Sequence, residues 1–510
     1  MASIHALPSE LLIEIFHYYT AMVIFVYENS LMHYTVKTSD SPRPYSWLKI
    51  GHICQLWRNI VLAVPELSSS IIAYRHAGVE EMLRRSRSVP LRLLSGPQLE
   101  ETEDSLKAYS LAFSHFHRFI DVNLVVNDGL LALLCQQDTV HTDGASALER
   151  LNLSLVVTNS DTPPALPLLA DTSFPALRHF TLQGGNLDLC EPMLSWNLRH
   201  LSLSCLDYPF TGQELAMYLQ DMENLRTLVI QEALWEDPAD LLDPDTWAPD
   251  QTATLPKLRR LSVDHLHPGH VCRLLAHIVY PATAQVAVKT AFASSDTPPG
   301  IVAKMFAPKP PGIALPVPTP AFQCVTVEAE GDTGARIRVC LLHMPADRQS
   351  TRPKWLPLVD LVARSSQDVE AAAGTLDQLS LSSVTELRVS SAELSTCAWA
   401  ALFRALPGLQ ALLVKREGPV QTLPSALPRQ GLPHLKSIDY DLSWSVMPIE
   451  PFGNLAEALA LRNGHENRLE KLTVVLSSKH LPAVKEEIED SSFGVVHTIR
   501  VARTRAERLV

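Results

Sequence analysis

LRHFTLQGGNLDLCEPMLSWNLRHLSLSCLDYPFTGQELAMYLQDMENLRTLVI spans residues 177–230, and within it one unit, LxxLxL, occurs three times: LRHFTL (177–182), LRHLSL (198–203) and LRTLVI (225–230). In each copy apolar residues alternate with other residues at the two-residue period of a strand that buries one face. Between the second and third copies, Thr211 with Glu214 forms a capping box ahead of Leu215, Tyr218, Leu219 and Met222, which predicts a helix there. One strand and one helix cannot enclose their own apolar faces, whereas stacked units bury a continuous core. The stretch therefore predicts parallel strands added one after another.

The same unit recurs outward in both directions, as LERLNL (148–153), LRRLSV (258–263), LQALLV (409–414), LKSIDY (435–440) and LEKLTV (469–474). Looser copies stand at FQCVTV (322–327), VTELRV (384–389) and VHTIRV (496–501). Neighbouring copies from Leu177 onward begin 21, 27 and 33 residues apart, close to the roughly 20 to 29 residues of leucine-rich repeats. Further helices are predicted at 269–279, at 455–462, and after a second capping box, Ser390 with Glu393, ahead of Leu394, Ala398 and Leu402. The asparagine that many leucine-rich repeats carry after the strand is mostly missing. Acidic, proline-punctuated EDPADLLDPDTWAPD (236–250) and the proline-dense stretch 291–320 read as loop insertions. The predicted class is α/β: a small helical N-terminal domain (1–75), then an irregular repeat array (85–510) in which a curved parallel sheet carries outer helices.

A length of 510 residues at 46% hydrophobic composition is enough for a large core. The net charge of −12 supplies no global field for polyphosphate, so nucleic acid is not an expected partner. Arg500, Arg503, Arg505 and Arg508 read as a solvated tail. Eight cysteines lie scattered without a CxxC pair, as befits free thiols in a reducing compartment. No basic leader opens the chain, and the apolar run Ala21 to Tyr27 is read as far too short to span a bilayer. A protein of the cytoplasm, the nucleus or both is expected, without membrane association.

The N-terminal 71 residues carry a different pattern. In LPSELLIEIF (7–16), Pro8 sits where a helix begins, and Leu11, Leu12, Ile15, Phe16 and Tyr19 follow on one face. A second helix is predicted from Trp47 to Val64 along Trp47, Ile50, Cys54, Trp57, Val61 and Val64, ended by Pro65. The residues between, 17–46, read as an aromatic and polar insert. Leu7-Pro8-x-Glu10-Leu11-Leu12-x-x-Ile15-Phe16, followed by Trp47, Ile53, Cys54, Trp57, Arg58, Ile60, Pro65, Leu67 and Ile71, resembles the F-box-like family, in particular its large basidiomycete fungal group. Two departures are the long insert and Ser68 in place of the tail tryptophan. The resemblance implies a helical module that docks on the Skp-family adaptor, and through it a cullin, in an SCF ubiquitin ligase. It implies that Leu7, Pro8, Leu11, Leu12, Ile15, Phe16, Trp57 and Arg58 meet the adaptor, while Trp47, Ile53, Cys54 and Ile60 form the core of the module.

No phosphate-binding glycine loop, zinc-protease motif or nucleophile elbow is present. His265, His267, His270 and His277, with Asp264 and Cys272, match no standard zinc spacing and read as a histidine-rich loop. The sequence thus predicts a receptor that is not an enzyme and holds no cofactor or metal: the box binds the adaptor and the repeats bind an unknown protein target. Two other readings compete with it. One is a non-catalytic scaffold that keeps the box fold outside a ligase; the other is a hydrolase or transferase concealed in an irregular α/β body, which has only the mixed strand and helix signals behind it.

Overall fold

The computed structural model describes residues 7–32, 44–96, 102–136, 147–156, 174–185, 193–207, 209–235, 252–265, 268–281, 284–292, 324–330, 334–343, 354–363, 384–390, 394–415, 434–442, 469–477 and 496–502, with isolated residues 381, 423, 427 and 432. The chain is mixed α/β and divides into two units, one of Met1–Pro209 with Tyr218–Val229, the other of Phe210–Met217 with Ile230–Val510.

The first unit opens with helix α1 (Ser9–Met32), a 3-10 helix (Ser46–His52), helix α2 (Gln55–Ala63) and a 3-10 turn (Pro65–Ser68). Helix α1 corrects the expected insert at 17–46: it continues 16 residues past Phe16. Its inward row of Leu12, Phe16, Thr20, Ile24 and Tyr27, each no more than 7% exposed, extends the i, i+4 spacing, and this packing overrides the weak helix preference of HYYTAMVIFVY. The single helix expected from Trp47 to Val64 is two helices. Cys54, extended at φ −156° and ψ 170°, breaks the chain and caps α2, and Trp47 and Ile50, three apart, suit the 3-10 turn before it.

The sheet begins inside the range assigned to the helical domain. Strands β1 (Ser70–Ala73), β2 (Leu91–Ser95), β3 (Phe119–Val126), β4 (Arg150–Leu155), β5 (His179–Gln183) and β6 (His200–Ser204) pair in sequence order, every pair parallel. Helices α3 (His76–Ser86), α4 (Glu103–Phe113) and α5 (Asp128–Gln136) connect the first four strands and pack on one another in order. Helix α6 (Gly212–Leu219) and strand β7 (Thr227–Gln231) cross the division between the units.

In the second unit, β8 (Ala253–Thr254) precedes β9 (Arg260–His265), α7 (Pro268–His277), β10 (Ile278–Val279) and β11 (Gln285–Phe292). Strands β8 and β10 form a small parallel pair. Next come β12 (Cys324–Glu330), β13 (Gly334–His343), β14 (Lys354–Ala363), β15 (Glu386–Ser390), helix α8 (Thr396–Ala405) and β16 (Ala411–Lys415), β17 (Ser437–Leu442), β18 (Lys471–Ser477) and β19 (Val496–Ala502). Bonded neighbours run β9, β11, β14, β13, β12, β15, β16, β17, β18, β19; β13 alone is antiparallel to its neighbours. A three-stranded meander thus interrupts a parallel ladder, which the repeat pattern did not predict. The expected insertion at 291–320 overlaps the end of β11 at residues 291 and 292; its remainder, the stretch 236–250 and the helix expected at 455–462 lie outside the described residues.

Every copy of LxxLxL is a strand, and in all but VHTIRV, whose strand opens at Val496 itself, the strand begins two residues into the motif. Its first apolar residue sits in the turn before the strand and its fourth and sixth point inward, so Leu177, Phe180 and Leu182, Leu198, Leu201 and Leu203, and Leu225, Leu228 and Ile230 are all 0% exposed. Turn geometry repeats as well. The residue after the strand takes a left-handed conformation at Gly184 (φ 72°), Cys205 (φ 48°) and Glu232 (φ 47°). At Gly184 a Cβ would collide with the Leu155 carbonyl oxygen, so glycine is required there. Before the strand, Asn197 Nδ2 donates to the Pro175 carbonyl (2.9 Å) and Asn224 Nδ2 to the Trp196 carbonyl (3.0 Å). These asparagines tie each turn to the one before it, from a position preceding the strand rather than following it.

Candidate functional site

The N-terminal module is built around Leu12, Phe16, Ile50, Trp57, Ile60, Val61 and Leu67. The Phe16 and Trp57 rings lie 4.9 Å apart, tilted by 59°, an edge-on arrangement that suits their quadrupoles. Trp47 is 1% exposed and its Nε1 donates to the Leu67 carbonyl (3.3 Å). Tyr45 joins module to sheet: its hydroxyl donates to the Ile72 carbonyl (2.6 Å) and accepts from the Ile72 N–H (3.1 Å). Tyr27 Oη donates to the Ser95 carbonyl (2.9 Å).

This packing sorts the residues expected to meet a partner. Leu7, Pro8, Leu11 and Ile15 are exposed, Leu11 by 50% and Ile15 by 45%. Leu12, Phe16 and Trp57 are not available to a partner, because they fill the interior. Arg58 is exposed, and its Nε donates to the Gly51 carbonyl (3.1 Å), bracing the 3-10 helix against α2. Of the expected core, Trp47 and Ile60 are buried, Cys54 is half-buried, and Ile53 is 60% exposed. Ile53 faces solvent because the break at Cys54 takes it off the α2 stripe.

Helix α1 has a second apolar face that the sequence reading missed. Leu11, Ile15, Tyr18 and Met22 are all exposed at spacings of four, three and four, a partner-seeking pattern superposed on the inward row. Ser9–Glu28 is also long and apolar enough to cross a membrane by length and composition, unlike the short run read from Ala21 to Tyr27, but its inward row is occupied by the module. No lysine or arginine lies between Ser9 and Met32.

A second surface lies on the open face of β2 to β6. Arg92, Asp121, Arg150, His179 and His200 are register partners across five adjacent strands. Arg92 bonds Glu28 of α1 (2.8 Å) and Asp121 (2.9 Å), and Arg150 reaches Asp121 at 3.3 Å. Burial raises the Glu28 carboxyl above its ordinary value, with Arg92 opposing. Two residues along, Asn123, Asn152, Thr181 and Ser202 form a neutral polar rank. The His179 and His200 rings lie 5.9 Å apart.

Among the described residues no group of three or more His, Cys, Asp or Glu could hold a metal ion. His270 and His277 lie on α7, where His277 is buried, and His265 ends β9; His267 is outside the described residues. No model of a known protein family matches the sequence, and no curated protein matches it.

Proposed function

We propose that this protein is the target-recognition subunit of an SCF-type, cullin–RING ubiquitin ligase. In this reading the N-terminal module is an F-box that binds a Skp-family adaptor, and the strand ladder is a divergent leucine-rich-repeat array that binds a target protein. The observation that carries the reading is the division of labour on α1: Leu12 and Phe16 close over Trp57, while Leu7, Pro8, Leu11 and Ile15 stand outside at the head of the helix. A helix whose exposed apolar side chains project from a rigid core offers the anchors of a helical interface. The receptor has no reaction of its own; it supplies proximity between target and a ubiquitin-loaded enzyme.

Adaptor pull-down with the intact chain tests this. Wild type is expected to retain the adaptor, and Leu11→Asp with Ile15→Asp to lose at least about tenfold in affinity while keeping the wild-type circular dichroism. Retention of the adaptor by the double variant would remove the proposed interface. Failure of the wild-type chain to bind any Skp-family adaptor would favour the scaffold reading, which the exposed apolar continuation through Tyr18 and Met22 also accommodates.

A further inference from the structure

In a protein of net charge −12, the open face of the first unit carries a row of arginines along its edge, which Glu149 continues on the β4 side. The backbone stacks Arg178, Arg199 and Arg226 one above another: Arg199 N–H donates to the Arg178 carbonyl (2.8 Å) and Arg226 N–H to the Arg199 carbonyl (2.8 Å). Adjacent strands stand about 4.8 Å apart, so this edge carries one guanidinium per strand. Arg199 and Arg226 are exposed, and among the described residues neither has a carboxylate within ion-pair distance. Arg178 is half-buried and braced, its Nη1 donating to the carbonyls of Pro175 (3.3 Å), Leu177 (3.5 Å) and Asn197 (3.5 Å). One residue further into the strands come exposed Arg150 and His179, with His200 beside them. Arg150 and Arg199 both act electrostatically on the His179 ring, which places the edge row and the strand row within one field.

We propose that this face, with Arg150, Arg199 and Arg226 as its charged contacts, binds an acidic, extended protein segment. Arginine suits the task, because its planar fork engages carboxylates bidentately and is only weakly hydrated. The adjoining rank of Asn152, Thr181 and Ser202 supplies donors and acceptors for a peptide backbone. Nucleic acid fits less well, because the net charge of −12 repels polyphosphate. The inference rests on reading the ladder as the target-binding part, and it names the chemistry of the target. Carboxylate and phosphate side chains share that chemistry, so the test separates them.

The experiment is fluorescence anisotropy with the purified full chain and no adaptor, using a labelled Asp/Glu-rich peptide, a phosphoserine version, a Lys-rich peptide and a single-stranded oligonucleotide. The acidic peptide is expected to bind, to weaken as salt is raised, and to lose about tenfold or more in affinity on Arg199→Glu with Arg226→Glu. Arg84→Glu with Lys107→Glu, which makes the same change of charge on exposed helix positions, is expected to bind like wild type. Tighter binding of the phosphoserine peptide would assign a phosphorylated target, and of the unmodified one a carboxylate-rich target. Absence of acidic-peptide binding, an equal loss in the helix variant, or tighter binding of the oligonucleotide would each overturn the proposal. Because no adaptor is present, failure here leaves the pull-down result standing, and the converse also holds.

Discussion

Replacing Phe16 by alanine is expected to cost about 3 to 5 kcal/mol of stability in the N-terminal module, because a buried ring is deleted from a site closed by Trp57. Leu11→Ala, one helical turn earlier on the exposed side, is expected to change stability by less than about 0.5 kcal/mol. Hydrogen exchange at the α1 and α2 amides distinguishes the two, and similar protection in both variants would contradict the inward and outward assignment. A single sequence places both residues on apolar positions of one helix but cannot say which of two neighbouring stripes the module covers. At His179, partial burial and then Arg150 and Arg199 hold the imidazole below its ordinary value, against Asp121 and Glu149. The unfolded chain therefore takes the proton first, so stability falls as pH drops from the ordinary histidine value through the lowered one. Arg199→Glu reverses the sign of a neighbouring charge and is expected to raise the His179 titration midpoint in histidine-selective NMR; an unmoved midpoint would show that Arg199 lies outside its field. An acidic segment bound on this face acts in the same direction, facing His179 and His200 together with Arg150, Arg199, Asp121 and Glu149.

Elements were legible wherever local chemistry decides them. The Thr211 and Glu214 capping box is formed as the spacing predicts: Glu214 Oε2 accepts from the Thr211 N–H (2.8 Å) and Thr211 Oγ1 from the Glu214 N–H (3.1 Å). Thr211→Ala is expected to destabilise α6 by about 1 kcal/mol, seen as faster exchange of its first-turn amides with the strand amides unchanged. The other predicted box was misplaced. Ser390 ends β15, and α8 is capped five residues later by Ser395, whose Oγ accepts from the Ala398 N–H (3.0 Å). Serine and threonine are common enough between a strand and a helix that the cap is chosen by where the helix can pack, not by spacing alone. The same cause explains α1, whose continuation depends on Thr20, Ile24 and Tyr27 finding partners beneath them.

At the scale of the whole chain, the repeated motif decides the α/β class and the order of most strands, because each copy of LxxLxL makes one strand that needs a neighbour on either side. It also shows that residues 178, 199 and 226 occupy equivalent positions, so the arginine row could be read from the letters LRH, LRH and LRT before any coordinates. Strands β1 to β3 escaped the motif, since SIIA and LRLLS are short apolar runs with no repeat around them, and so did β13 and β14 of the meander, whose first strand, β12, is the copy FQCVTV. What the sequence by itself determined is the α/β class and the strands and inward rows of the LxxLxL copies, because alternation and turn chemistry are local properties. What only the tertiary structure decided is which apolar side chains remain outside. Leu11 and Leu12, or Ile53 and Trp57, are equally apolar, and only the closure of α1 over the 3-10 helix and α2 buries one of each pair and leaves the other exposed to a partner.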